Sequence, residues 1–262
     1  MPQNLFDLSG TQALVTGGNS GLGLGFATGL AKGGADVMIW GRNKDKTAAA
    51  VEKLKTFGTR IESNIVDVSK EQEVVAGMAD AVQKMGRLDC VIANAGAVTN
   101  YAFHEMPAEV YHELVNTAQH GAFYTLREAA KHMVERANAG DPGGSLILCG
   151  SLSIFAGAAQ IAHYGAAKGA MNSMSKSIAT ELGQYGVRTN VVAVGMTRTE
   201  MLEDNIQYAQ PLVDIAVARN PLGRIAEISD VEGIVIYLAS DLSKYHTGDT
   251  ITIDGGHMAS LW

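Results

Sequence analysis

Cysteine is nearly absent from this chain. Its two cysteines, Cys90 and Cys149, each lie inside an apolar, strand-like run. Buried free thiols in a reducing compartment are expected for both, rather than a disulfide. Proline is also scarce, at 5 residues against 30 glycines. Glycine without proline marks tight turns and close backbone approaches, not a low-complexity linker. Positive charge is in the minority, with 20 Lys and Arg against 27 Asp and Glu and a formal charge of −7. The basic footprint of a nucleic-acid binder is therefore missing. No apolar run approaches the ~20 residues that a membrane helix needs. The start, residues 1–7, lacks a basic region followed by an apolar stretch, so no signal peptide is expected. What is present is 262 residues with 47% hydrophobic and 18% charged side chains, which excludes a disordered or solvating chain. A soluble cytoplasmic protein is the expectation, with a length that suits one large domain or two small ones.

Short apolar runs alternate with longer helical stretches. Strands are expected at 13–16, 36–40, 60–66, 88–93, 144–149, 187–194 and 250–253. Helices are expected at 21–32, from an Asn43 cap to about 57, from a capping box at Ser69–Gln72 to about 85, from Pro107 to about 138, at 162–185, and from a second capping box at Ser229–Glu232 to about 240. Uninterrupted alternation demands parallel strands joined by right-handed crossovers. The expected fold class is therefore α/β: a doubly wound, Rossmann-type, seven-stranded parallel sheet with helices on both faces. No linker or composition break divides the chain, so residues 1–262 read as a single dinucleotide-binding domain. Residues 198–222 show no clean period, and 196–222 is a candidate lid over a site.

Thr16-Gly-Gly-Asn-Ser-Gly-Leu-Gly23 lies where the first strand turns into the first helix. Glycines there allow a tight turn and bring backbone N–H groups to a phosphate, and the helix N-terminus adds partial positive charge. Gly17, Asn19, Ser20, Gly21, Leu22 and Gly23 are the candidate cofactor residues in this loop. The spacing is G-x-x-x-G-x-G, not the common G-x-G-x-x-G. At the end of the second strand, an acid would hold the ribose hydroxyls of NAD and repel a 2′-phosphate. The chain has Arg42 instead, which can hold that phosphate by charge-assisted hydrogen bonds. NADP(H) is favoured, with NAD(H) possible.

Tyr164 and Lys168 stand four residues apart, on one helix face. A phenol is a poor acid or base at neutral pH, and a neighbouring ammonium favours its phenolate. Ser151, at the end of the fifth strand, could polarise a carbonyl at the same point. Together these groups describe hydride transfer in which a cofactor carries the hydride and the protein handles the proton.

These residues resemble a classical short-chain dehydrogenase/reductase over almost the whole chain. The matching features are Thr16-Gly-x-x-x-Gly-x-Gly23, Asp67-Val68, Asn94-Ala-Gly96, Ser151, Tyr164-x-x-x-Lys168, Asn190, Thr199 and Asp254-Gly-Gly256. The resemblance implies that Tyr164 is the general acid in reduction and the general base in oxidation. It implies that Lys168 supports Tyr164 and holds the nicotinamide ribose, while Ser151 orients the substrate oxygen. Asp67 and Val68 would contact the adenine, Asn94 and Gly96 would lie beneath the ribose, and Thr197 and Thr199 would border the nicotinamide amide. It further implies a homodimer or homotetramer built on the helices near 107–138 and 162–185.

The chain departs from that family at three places. The family commonly has an asparagine seven residues after an aromatic and three before a glycine; here Tyr111 and Gly121 place Ala118 at that position, with Asn116 two residues earlier. Either a local helix irregularity lets Asn116 serve, or the proton relay lacks this side chain and runs through a backbone carbonyl and water. The second alternative is preferred. Val194-Gly195 replaces the usual Pro-Gly, which would loosen the turn locally. Ala93 precedes Asn94 where asparagine is common.

No metal site is expected, since His112-Glu-Leu-Val-Asn116 lacks the second histidine of a zinc motif and no other histidine cluster has ligand spacing. Ser153, His163 and Met201 are candidate substrate residues, with Phe155 and Gln160 nearby and Tyr101 and His104 approaching from the loop after the fourth strand. The expected partner is a small-molecule carbonyl or alcohol. A cyclic, sugar-acid or polyol ketone, or a 3-oxoacyl thioester, would fit. The alternative reading is a catalytically weak NADP(H)-binding sensor or assembly subunit.

Overall fold

The computed structural model describes residues 5–204 and 206–260; the side chains of Met201, Asp204 and 206–208 lie outside the description. Its elements are β1 (Gln12–Thr16), α1 (Gly21–Lys32), β2 (Asp36–Gly41), α2 (Lys44–Lys55), β3 (Ile61–Ile65), α3 (Glu71–Met85), β4 (Cys90–Ala93), α4 (Ala108–Val115), α5 (Gly121–Asn138), β5 (Gly144–Ser151), α6 (Ala162–Leu182), β6 (Val187–Val194), α7 (Glu200–Asp204), α8 (Ile206–Arg219), α9 (Glu232–Ala239) and β7 (Thr250–Ile253). The seven strands form one parallel sheet in the order β3-β2-β1-β4-β5-β6-β7. This is the doubly wound fold that the strand–helix alternation predicts.

Strand alternation divides the core between the two faces of the sheet. Ala13 and Val15 pack with Leu30 of α1, Leu54 of α2 and Val235 of α9. Leu14, between them, packs on the other face with Met78 of α3, Leu126 of α5 and Met171 of α6. Both sides of β1 are covered, so its centre, Ala13-Leu14-Val15, is continuously apolar rather than alternating. The strand order reverses between β1 and β4. A crevice must open there at the carboxyl ends of the strands, because successive crossovers leave in opposite directions.

Several local expectations are corrected. Ser69 does not cap α3; its hydroxyl and N–H both donate to Asp67 Oδ1, at 2.8 and 3.1 Å, and the helix begins at Glu71. The second capping box also shifts. Asp230 Oδ2 accepts from Glu227 N at 2.8 Å, a 3₁₀ turn covers Ile228–Val231, and α9 starts at Glu232. The Asn43 cap forms as expected, with Oδ1 accepting from Lys46 N at 2.9 Å. The helix expected to run unbroken from Pro107 to about 138 is split by a π turn at Asn116–His120. The aperiodic stretch after β6 carries two helices, α7 and α8, the second with Pro211 inside it. Val194, where the family usually has proline, is buried as the last residue of β6, in register with both Ser151 and Ile253.

Candidate active site

The crevice at the β1–β4 reversal is a cleft of about 650 Å³. Thr16, the last residue of β1, organises its floor. Its hydroxyl accepts from the N–H groups of Asn94 and Ala95, at 3.0 and 3.1 Å, and Asn94 Nδ2 donates back to the Thr16 carbonyl at 3.0 Å. These bonds clamp the ends of β1 and β4 together. The glycine loop then folds tightly over the clamp. Gly17 has φ +65°, and a Cβ at Gly23 would run into the Gly17 carbonyl and the Asn94 amide. Only glycine lets the chain close in this way.

Helix α1 opens into the cleft with an uncapped end. Ser20 occupies the N-cap position yet makes no side-chain cap bond, and no acid stands in the first turn. The first N–H groups of a helix have no intrahelical partner, so they remain free for an anion. A pyrophosphate fits this cradle. On the far side of the loop, Asn19 Nδ2 donates to Thr47 Oγ1 at 3.0 Å and ties the loop to the first turn of α2.

Thirteen of the expected residues line the cleft: Gly17, Asn19, Ser20, Gly21, Leu22, Gly23, Arg42, Val68, Asn94, Gly96, Tyr164, Lys168 and Thr199. Asp67 sits at its edge, beside Val68. Burial alone would push the Asp67 carboxyl up, but hydrogen bonds from the Ser69 hydroxyl and N–H, with the charges of Arg42 and Lys70, hold it below the usual carboxylate range. Thr197 is buried and donates to the Gly195 carbonyl at 3.0 Å; it is not in the lining. The expectation missed Lys46 and Glu200, which also face the cleft.

At the other end of the cleft, α6 brings its reactive residues against β5. Lys168 is only 4% exposed. Its Nζ donates to the Cys149 carbonyl at 2.6 Å and lies 5.6 Å from the centre of the Tyr164 ring. Two residues beyond Cys149, Ser151 ends the strand, and its Oγ accepts from Ser153 N at 3.2 Å. The cleft thus combines an anion cradle at one end with an ammonium–phenol pair at the other.

This chain is similar to known dehydrogenases along nearly its full length. The model of the family described as enoyl-(acyl carrier protein) reductase matches residues 17–258. L-rhamnose 1-dehydrogenase (NAD(P)(+)) of Sphingomonas sp. (strain SKA58) is 34% identical over 97% of this chain and 98% of its own. Gluconate 5-dehydrogenase of Gluconobacter oxydans is 31% identical, with 98% of each chain covered. The chain belongs to the short-chain dehydrogenase/reductase family. Among solved structures of this family, a gluconate 5-dehydrogenase from Burkholderia cenocepacia J2315, in complex with NADP and tartrate, superposes with a TM-score of 0.91. It is 29% identical, with 98% of this chain and 99% of that one covered. The chain is accordingly an oxidoreductase that transfers a hydride between NAD(P)(H) and a carbonyl or secondary alcohol, acting on CH–OH groups.

The family's asparagine position is where this short-chain dehydrogenase/reductase is unusual. The helix irregularity considered from the sequence is present as the π turn, closed by Gly121 N donating to the Asn116 carbonyl. It does not turn the Asn116 side chain inward. Asn116 is exposed, and its Oδ1 lies 3.0 Å from His120 Nδ1. Ala118 is the inward residue, 1% exposed and packed with Leu114, Ala167 and Tyr164. Among the described residues of this helix, no amide side chain stands beside Tyr164 at this point.

The expected substrate residues divide. Ser153 has a buried hydroxyl oxygen with no hydrogen-bond partner among the described residues. His163 is 1% exposed, and its Nε2 lies 2.9 Å from Thr99 Oγ1, tying the loop after β4 to α6. It therefore braces the site instead of lining the cleft. Tyr101 reaches the same region through its N–H, which donates to the Gln160 carbonyl at 2.9 Å. Met201 belongs to α7, and its side chain lies outside the described residues. Of the groups of three or more His, Cys, Asp or Glu that could hold a metal, none occurs among the described residues.

Proposed function

We propose that this short-chain dehydrogenase/reductase prefers NADP(H) and acts on a polyhydroxylated substrate, a sugar, sugar acid or polyol. One observation carries the cofactor half: the chain leaving β2 presents Arg42 and Lys46 to the cleft, with Arg42 where an acid would hold the ribose of NAD. A 2′-phosphate gains charge-assisted hydrogen bonds from those cations, whereas an unphosphorylated ribose gains little. The substrate half rests on the rhamnose and gluconate dehydrogenases named above and is an argument by relationship.

In this reading the bound dinucleotide supplies or accepts the hydride. Tyr164 gives its hydroxyl proton to the carbonyl oxygen in reduction and takes it back in oxidation. The buried Lys168 ammonium makes the resulting phenolate tolerable in a dry site. Ser151 donates to the substrate oxygen and orients it. The segment 196–222, with α7 and α8, acts as a lid over a single domain. Exposed Tyr111 on α4 and Phe123 on α5 support assembly of a dimer or tetramer through these helices. Among the described residues no helix is long and apolar enough to cross a membrane; the two buried free thiols support a cytoplasmic setting.

The test is nucleotide absorbance with a panel of aldoses, aldonates and polyols, run with NADP⁺ and NAD⁺ in parallel, and with a 3-oxoacyl thioester and NADPH. Turnover of a polyhydroxylated compound with NADP⁺ at higher kcat/KM than with NAD⁺ is the expected result. Turnover of the thioester alone would overturn the substrate class, and a higher kcat/KM with NAD⁺ would overturn the cofactor preference.

A further inference from the structure

Four charged side chains line the cleft among the described residues: Arg42, Lys46, Lys168 and Glu200. Lys168 is committed to the Cys149 carbonyl at the catalytic end. Glu200, the one carboxylate of the four, stands in a cleft built for phosphates. It is neutralised across the mouth by Lys46, whose Nζ lies 2.8 Å from Glu200 Oε2.

The two residues belong to different walls. Lys46 is in the first turn of α2, fixed there by the Asn43 cap and by the Asn19–Thr47 bond to the glycine loop. Glu200 is the first residue of α7, directly after Thr199, whose Cγ2 is 3.6 Å from the point where a Cβ on Gly21 would stand. The pair therefore spans from the β2 rim, over the glycine loop, to the root of the segment that follows β6. Both side chains are more than half exposed. A pair so open to water contributes little to stability, so a more highly charged anion can displace it at small cost.

We propose that Lys46 is a second ligand of the 2′-phosphate, held by Glu200 in the nucleotide-free chain and handed from the carboxylate to the phosphate on binding. This rests on the NADP(H) reading above. The exchange follows from charge. A phosphomonoester carries nearly two negative charges and three acceptor oxygens at neutral pH, and Glu200 carries one charge. Arg42, the other cation at this end of the cleft, stands near enough to Asp67 for its charge to lower that carboxyl. Arg198, two residues before Glu200, cannot replace Lys46 as its partner, since it is already paired with Glu203 and Glu227.

The experiment is fluorescence titration of the full chain with NADPH and NADH, for wild type, Lys46→Met, Lys46→Arg, Glu200→Gln and the double variant Lys46→Met/Glu200→Gln. Lys46→Met is expected to weaken NADPH binding about 10-fold and NADH binding less than about 2-fold, the scale of one charge-assisted hydrogen bond. Lys46→Arg should keep the preference, which separates a lost contact from a misfolded helix turn. Glu200→Gln should tighten NADPH relative to NADH by about 3-fold, and this gain should vanish in the double variant. Equal losses for both nucleotides in Lys46→Met, or no change in the NADPH-to-NADH ratio in Glu200→Gln, would overturn the proposal while leaving a wild-type NADPH preference standing. If wild type itself binds both nucleotides equally, the cofactor reading has failed and this proposal fails with it.

Discussion

The Lys168 ammonium donates a 2.6 Å hydrogen bond to the carbonyl of Cys149, two residues before Ser151 on the same strand. This bond joins α6, which carries Tyr164, to the strand that carries Ser151. The same bond satisfies a cation that burial would otherwise penalise. Replacing Tyr164 by Phe removes only the hydroxyl. Turnover should fall by ~10²–10⁴-fold, the usual worth of a positioned acid or base, while NADPH binding changes by less than about 2-fold. Steady-state kinetics with nucleotide titration check this, and retained turnover would remove Tyr164 from the proton-transfer role. Lys168→Ala should differ in kind. It leaves the Cys149 carbonyl without its partner, so it should lower the Tm as well as turnover.

Arg42 presents a cation to the rim of the cleft at the end of β2. Arg42→Asp replaces attraction for a 2′-phosphate with repulsion. NADPH affinity should drop by ~10–100-fold, in line with charged hydrogen bonds of about 1.5–3 kcal/mol. NADH affinity should fall far less or improve. Parallel titrations decide, and equal losses would mean that Arg42 supports the fold of the rim rather than the phosphate.

The parallel, doubly wound sheet and the glycine turn at its crevice were legible in the sequence because they follow from periodicity and from backbone chemistry. Apolar runs alternating with amphipathic stretches leave few topologies, and Gly17, Gly21 and Gly23 can be dense at one turn for only a few reasons. What was illegible depends on competition between neighbours. Ser69 has the residue type and spacing of a helix cap, yet Asp67, two residues upstream, captures both its hydroxyl and its N–H. The π turn inserts one residue into a helix whose hydrophobic pattern continues on either side, so periodicity does not report it. Lys46 and Glu200 are separated by 154 positions, and no motif marks either one. Only the fold brings them across one cleft. His163 misled in the opposite sense, because a polar residue beside Tyr164 suggests substrate contact, whereas burial and Thr99 make it a brace.

Ala118 leaves a small, apolar surface beside Tyr164 where the family commonly has an amide. A Cβ built on Gly96 would lie 3.8 Å from the Ala118 Cβ, an ordinary contact distance. Ala118→Asn should therefore place a polar group next to the phenol and alter kcat and its pH profile. The adjacent Asn116→Ala, which loses only the exposed contact with His120, should leave kcat within about 2-fold. An unchanged pH profile in Ala118→Asn would show that proton transfer does not pass this point.

Gly23 is the tightest point of the loop. An alanine there would drive its methyl into the Gly17 carbonyl and within hydrogen-bond range of Asn94 Nδ2, both parts of the clamp between β1 and β4. Overpacking of this kind costs about 1–3 kcal/mol. Gly23→Ala should lower thermal stability and abolish measurable binding of NADPH and NADH alike. Gly58→Ala, at a turn with open space around it and φ +83°, should lower stability through strain alone and leave nucleotide affinity unchanged. Wild-type affinity in Gly23→Ala would mean that the loop can reopen without loss of the phosphate cradle.

Two histidines set how the fold responds to acid. Burial holds the His163 imidazole below its usual range, and its Nδ1 has no partner among the described residues to receive the extra N–H. His132 is lowered by burial and by the nearby Arg136 charge, and its Nε2 accepts from Leu88 N at 3.1 Å, a bond that only the neutral ring can make. In both cases the unfolded chain binds a proton at higher pH than the folded one. Above about pH 6.5, where both states are neutral, neither ring affects the balance. As the pH falls below that value the unfolded state takes up protons first, and stability is lost until the folded-state rings also titrate. Chemical denaturation between pH 7.5 and 5 should show this decline. His163→Gln and His132→Gln should each lower stability at pH 7.5 yet flatten the decline, and the double variant should flatten it further. A slope that neither substitution changes would assign the acid response to the carboxylates instead. Asp67 is one such group: held below its usual range, it loses its contribution at lower pH than the histidines, from the point where the unfolded carboxyl takes up a proton until the folded one does.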